Sequence, residues 1–184
     1  MLSFDFFQKA LPYDDFFTQF GKPTDKPRWD ATRQKVALTP DQQKLLGTFR
    51  RKTNMLVLAG AWCGDCAGQC PIFEKFAEVA PVLVPRYLDR DAHPAAQEEL
   101  KINGGNRVPV VVFFSEDGQE VSRFGERTLT TYRKLVAQLG GDSCGSGLAT
   151  GDTLPGVVQN WLDEFERVQH ILRLSPRLRR LHGD

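Results

Sequence analysis

The stretch that decides the fold is Met55-Leu56-Val57-Leu58-Ala59-Gly60-Ala61-Trp62-Cys63-Gly64-Asp65-Cys66. Its first seven residues form a short, continuous apolar run, as expected of a central strand covered on both faces. Beyond the cysteines, Ile72, Phe73, Phe76, Ala77 and Val79 recur at helical spacing. A strand therefore feeds two cysteines into the start of a helix, which Pro71 is expected to kink. The thiolate is the reactive form of cysteine, and a helix N-terminus favours it through unsatisfied backbone N–H groups and aligned peptide dipoles. Cys63 at that junction is the expected attacking thiol. Cys66, three residues on, is the expected resolving thiol, which closes a disulfide with Cys63 and expels a bound substrate.

Working outward, Thr39, Pro40, Asp41 and Gln42 read as N-cap, N1, N2 and N3 of a helix with a capping box, buried through Leu45, Leu46 and Phe49. Toward the N-terminus, Gly21 to Thr32 reads as a polar connection. Before it, Phe4, Phe6, Phe7, Leu11, Tyr13, Phe16, Phe17 and Phe20 suit one or two short helices broken near Pro12. On the other side, Val82 to Leu88 reads as a strand and Pro94 to Leu100 as a short helix. Asn103-Gly104-Gly105 is a turn. Val108 to Phe114 and Glu120 to Phe124 are strands joined by Glu116-Asp117-Gly118, and Thr128 to Leu139 is a closing helix. Gly140 to Gly156 reads as a flexible connection, followed by an amphipathic helix carrying Val157, Trp161, Phe165, Val168 and Leu172.

These elements imply an α/β fold, a mixed central sheet flanked by helices with further helices at both ends. The 184 residues allow one domain with embellishments, and 41% apolar residues, 13 of them Phe, suffice for a core. A net charge of +1 shows no broad field for nucleic acid or a membrane surface. Arg173, Arg177, Arg179 and Arg180 give a locally basic tail, read as a solvated helix end and a frayed terminus. The opening residues carry no secretory signal and no apolar run reaches membrane-spanning length, so a cytoplasmic protein is the expectation. In a reducing compartment the thiols are kept reduced, and the pair more naturally donates electrons than oxidises substrates.

The order of elements, Trp62-Cys63-Gly64-Asp65-Cys66 after an apolar strand, and Val108-Pro109 before a hairpin and a last helix resemble the thioredoxin superfamily from about Leu38 to Leu139. Asn103 to Pro109 and Phe124 to Arg127 are similar to a bacterial subgroup with an N-terminal helical segment and a Trp-Cys-Gly-Asp-Cys motif. The resemblance implies an N-terminal helical extension over 1–35 and a thioredoxin-like domain over 36–140. A connection and C-terminal helix packing on it then fill 141–184. It implies a thiol–disulfide oxidoreductase that reduces protein or small-molecule disulfides and serves cell redox homeostasis. Such a protein needs no cofactor beyond its redox-active disulfide and no metal, and draws electrons from a reductase or a low-molecular-weight thiol. It further implies that Pro109 is a cis-proline facing the cysteines, although sequence alone favours trans. The Val108 backbone would then pair with an extended substrate segment, beside Trp62 and Gly64.

Two departures from the family pattern bear on mechanism. Val57 stands where a buried Asp usually helps deprotonate the resolving thiol, and Asp65 stands beside the pair. Asp65 is a candidate base, or a first-turn acid suited to the helix dipole. Arg107 and Arg127 are either rim residues favouring the thiolate and a negatively charged substrate or ordinary surface arginines. Cys70, one turn after Cys66, is either an auxiliary thiol or a small buried helix residue. Cys144 is either a regulatory thiol or an exposed one without function. A zinc site is disfavoured because the fourth cysteine is single and no His lies at ligand spacing. A redox-sensing or partner-binding module that recruits through Trp161 and the N-terminal phenylalanines is the alternative to turnover.

Overall fold

The computed structural model describes residues 2–139 and 153–183. Four strands, β1 (Thr53–Ala59), β2 (Leu83–Asp89), β3 (Val110–Phe114) and β4 (Glu120–Gly125), form one sheet in the order β2-β1-β3-β4. β2 runs parallel to β1, whereas β3 and β4 are antiparallel to their neighbours. Every residue of β1 is buried, as the unbroken apolar run requires of a strand covered on both sides.

Register fixes what each side chain faces. Val57 lies opposite Val111 and Tyr87, and Met55 opposite Phe113, so these residues share one face. Packed on that face are α2 (Tyr13–Phe20), α3 (Asp25–Lys35), α5 (Gly64–Val79) and α8 (Leu154–Leu174). Phe165 of α8 meets Phe113 at 5.2 Å and Phe76 at 5.1 Å, ring centre to ring centre, while Trp161 lies between Phe73 and Phe124. The opposite face carries α1 (Asp5–Lys9), where Phe4 meets Phe114 and Arg86 stacks on Phe7, and α6 (Pro94–Glu99), tied to β4 by Arg123 and Glu99. Leu11 adds a two-bond bridge to the outer edge of β2 through Tyr87.

Local signals account for several boundaries. Thr39 accepts from Gln42 N–H while the Gln42 side chain accepts from Thr39 N–H, so α4 (Pro40–Leu46) starts with a complete capping box. α4 stops at Leu46, which places buried Phe49 just past its end. α5 passes through Pro71, and α7 (Leu129–Leu139) follows β4.

Three expectations need correction. The supposed connection from Gly21 to Thr32 contains most of α3, whose low hydrophobicity hides a single fully buried residue, Trp29, and whose Pro27 sits in the first turn, where proline is tolerated. The expected connection from Gly140 to Gly156 ends early, because α8 begins at Leu154 with Pro155 in its first turn. Its remaining residues, 140–152, including Cys144, lie outside the described ones. The tail is helical rather than frayed. In α9 (Pro176–His182), Ser175 caps through Leu178 N–H and Leu178 is buried, while Arg177, Arg179 and Arg180 remain exposed. Among the described residues no helix is long and apolar enough to cross a membrane. The aromatic residues proposed for partner recruitment serve the core instead: Trp161 and Phe16 are fully buried, and Phe7 and Phe17 nearly so.

Candidate active site

β1 ends at Ala59, and the chain turns through Gly60, Ala61 and Trp62 to deliver Cys63 as the N-cap of α5. The Cys63 sulfur accepts the N–H of Cys66 at 3.4 Å, occupying one of the donors that a helix start leaves unsatisfied. Its thiol points at the Val108 carbonyl, 3.8 Å away, which brings the Val108–Pro109 segment against the cysteine pair. The Val108–Pro109 bond is cis, and both residues are buried. Cys63 is 8% exposed and Cys66 fully enclosed, so only the first thiol reaches the surface.

The helix start does not win the contest over Cys63 in the dithiol form. The side-chain hydrogen bond with Cys66, then burial, then repulsion from Cys66 push the Cys63 thiol up, against the backbone N–H groups of Cys66 and Asp65 that pull it down. Burial likewise pushes Cys66 and Cys70 up.

Asp65 is partly exposed, and its carboxylate is held by Arg127 at 2.8 Å, so its charge is compensated beside Cys63. Arg107 is exposed and lies 3.8 Å from the carboxylate of buried Glu126. Trp62 is about half exposed, at 48%, and rests over Gly60, where any side chain would meet the indole. Gly64 is exposed beside it. Cys70 is fully buried, one turn after Cys66 on α5. Across from α5, Val57 offers no proton acceptor on the sheet face that the cysteine helix covers. No cluster of metal-binding side chains occurs among the described residues.

Several supporting residues escaped the sequence reading. Arg28 donates to the carbonyls of Ala61 and Trp62, and Trp29 Nε1 donates to Ala61 O at 3.0 Å, so α3 holds the loop before Cys63. Arg90 lies over the Trp62 ring at 4.7 Å and donates to Asn106 O, linking the tryptophan to the loop that precedes Pro109. Buried Gln69 donates to Glu126 O and accepts from Trp161 Nε1, tying α5 to the β4–α7 loop and to α8. That loop approaches closely: a Cβ at Gly125 would stand 2.5 Å from the Pro109 carbonyl. A lone Trp at position 29 in a polar helix was the one legible signal; the rest depends on chain segments distant in sequence. A cavity of about 350 Å³ opens beside the site, lined among others by Lys35, Asp65, Gly68, Gln69, Thr131 and Leu154.

The thioredoxin family model matches residues 12–139, and the chain belongs to that family. It is 36% identical to a thioredoxin from Chlamydia muridarum over 78 residues, 42% of this chain and 72% of that protein. It is also 29% identical to protein disulfide isomerase-like 2-1 of Oryza sativa over 112 residues, 59% of this chain but 30% of the rice protein. A crystal structure of a Pseudomonas aeruginosa protein of unknown function shares the fold, with a TM-score of 0.67 at 17% identity, covering 94% of this chain and 98% of the other. An HIV epitope scaffold does so at 0.62 and 18% identity, covering 93% and 97%. Family and cysteine pair together support a thiol redox role at the level of the thiol–disulfide oxidoreductases.

Proposed function

We propose that this protein reduces disulfides of proteins or small molecules through Cys63 and Cys66. The observation that carries the reading is the placement of Cys63: helix N-cap, slightly exposed, beside Val108, with Cys66 enclosed behind it. The Cys63 thiolate attacks one sulfur of a substrate disulfide, and the other leaves as a thiol. The Cys66 thiolate then attacks Cys63 Sγ, breaking the mixed disulfide, releasing the second substrate thiol and closing Cys63–Cys66. A reductase or low-molecular-weight thiol returns the pair to its dithiol form. Trp62 and Gly64 on one side and Val108 and Pro109 on the other form the substrate-facing mouth, with the Val108 backbone pairing an extended segment.

Arg127 cancels the Asp65 charge that would otherwise oppose a thiolate on Cys63. Asp65 takes up and returns the protons of the exchange from the solvent side, and Arg107 extends the basic rim toward substrate. The test is trapping. With Cys66→Ser, a disulfide-containing peptide should accumulate as a stable mixed disulfide on Cys63, located by mass spectrometry after acid quench. Absence of that adduct in a folded variant contradicts the reading.

A further inference from the structure

Cys66 sits between two thiols, not one. On α5 it stands three residues after Cys63 and one turn before Cys70, and Cys66 and Cys70 are both fully enclosed and free. Four residues apart on α5, their Cα atoms are about 6 Å apart by helix geometry, inside the range that disulfides span, while their Cβ atoms, about 5–6 Å apart, must close by about 1–2 Å for the bond to form, which requires the turn between them to shift. Two features weaken the turn between them: Gly68 is a glycine inside a helix, and Pro71 has no N–H to offer the Ala67 carbonyl.

We propose that Cys70 is a third redox thiol that moves the active-site disulfide inward. This rests on the reading that Cys63 and Cys66 form a disulfide during turnover. In the oxidised protein the Cys70 thiolate attacks Cys66 Sγ; the Cys66–Cys70 bond forms as Cys63–Cys66 breaks. The electron pair leaves on Cys63 Sγ, and the proton given up by Cys70 ends on Cys63. The step is an isomerisation, with no net oxidation and no outside reagent. The leaving sulfur is the one that already accepts the Cys66 N–H, so the helix start stabilises the thiolate as it departs. The oxidising equivalent is then held in the enclosed interior, while Cys63 stands again as a thiol at the mouth, able to engage a second substrate without first being reduced.

The experiment uses the full chain with Cys144→Ser to remove the remaining cysteine. Protein oxidised with diamide to a single disulfide is exposed to iodoacetamide, and label and disulfides are located by peptide mass spectrometry. The proposal expects label on Cys63 together with a Cys66–Cys70 disulfide. With Cys70→Ala, labelling of the oxidised protein should fall at least about tenfold, since Cys63 has no route out of its disulfide. Oxidised Cys63→Ser should contain Cys66–Cys70. Thermal melting checks that Cys70→Ala folds, and Cys70→Ser, closer in size, should give the same loss of label. If Cys63–Cys66 forms normally but Cys63 stays unlabelled and Cys63→Ser keeps both thiols free, the inward transfer is overturned and the dithiol reading stands. If no Cys63–Cys66 disulfide forms at all, the dithiol reading fails, and the transfer with it.

Discussion

Asp65 and Arg127 show how a charge beside a reactive thiol is handled. A carboxylate two residues from Cys63 raises the cost of a thiolate, and the guanidinium 2.8 Å away offsets it. Both side chains are partly exposed, at 36% and 27%, so solvent screens the effect, and such pairs are worth ~0.2–1 kcal/mol. Arg127→Ala should therefore slow alkylation of Cys63 by about two- to fivefold at low ionic strength, and Asp65→Asn in that background should restore it. Equal rates in wild type and Arg127→Ala would show that the pair does not act on the thiol. Residues of this kind were legible only in part. The cysteines and Asp65 announce themselves by spacing, whereas Arg90 over Trp62 and Gln69 under Trp161 depend on contacts between distant segments.

At the scale of elements, local signals were read well and solitary ones were not. The Thr39 capping box and the Glu116-Asp117-Gly118 turn specify their structures within a few residues. α3 went unseen because Trp29 is its one buried hydrophobic side chain in an otherwise polar helix. α9 had a signal, Ser175 before Pro176, that its run of arginines obscured. Trp161 joins α8 to α5 through an indole donor to Gln69 Oε1 at 3.0 Å, in a fully buried setting. Trp161→Phe keeps most of the ring but leaves that oxygen without its donor, at a cost of about 1–3 kcal/mol. Melting should fall by about 2–4 °C per kcal/mol for a chain of this size. An unchanged melting temperature would show that the link is not stabilising.

α5 also carries a carboxyl whose titration should be visible. Burial pushes Glu74 up, partly opposed by the hydroxyl of Tyr87, which donates to it at 2.8 Å. A folded-state value above the unfolded one means that stability is favoured below the ordinary carboxylate range and lost as pH rises through the folded value. Glu74→Gln still accepts from Tyr87 but cannot ionise. Its melting temperature relative to wild type should therefore be higher at neutral pH than in acid. The same difference at both pH values would contradict this.

Over the whole molecule, the mixed sheet flanked by helices and the strand-to-helix delivery of Cys63 were readable from the sequence, because β1 is uniformly apolar and leads straight into the cysteines, whereas the strand order β2-β1-β3-β4 was not. The wrapping at both ends was not, since it depends on which hydrophobic face each helix finds. Leu11 pairs with β2 at one end, and at the other Gln169 of α8 bonds the backbone of Arg50 and Arg51 just before β1. These anchors hold the strand and helix on which the reactive thiol depends. The most direct measurement is reduction of insulin, supplied with dithiothreitol, by the wild type and Cys63→Ser side by side. Turnover by the wild type with a silent, equally stable variant is the result predicted here; a folded wild type no more active than Cys63→Ser would contradict the assignment of a disulfide reductase.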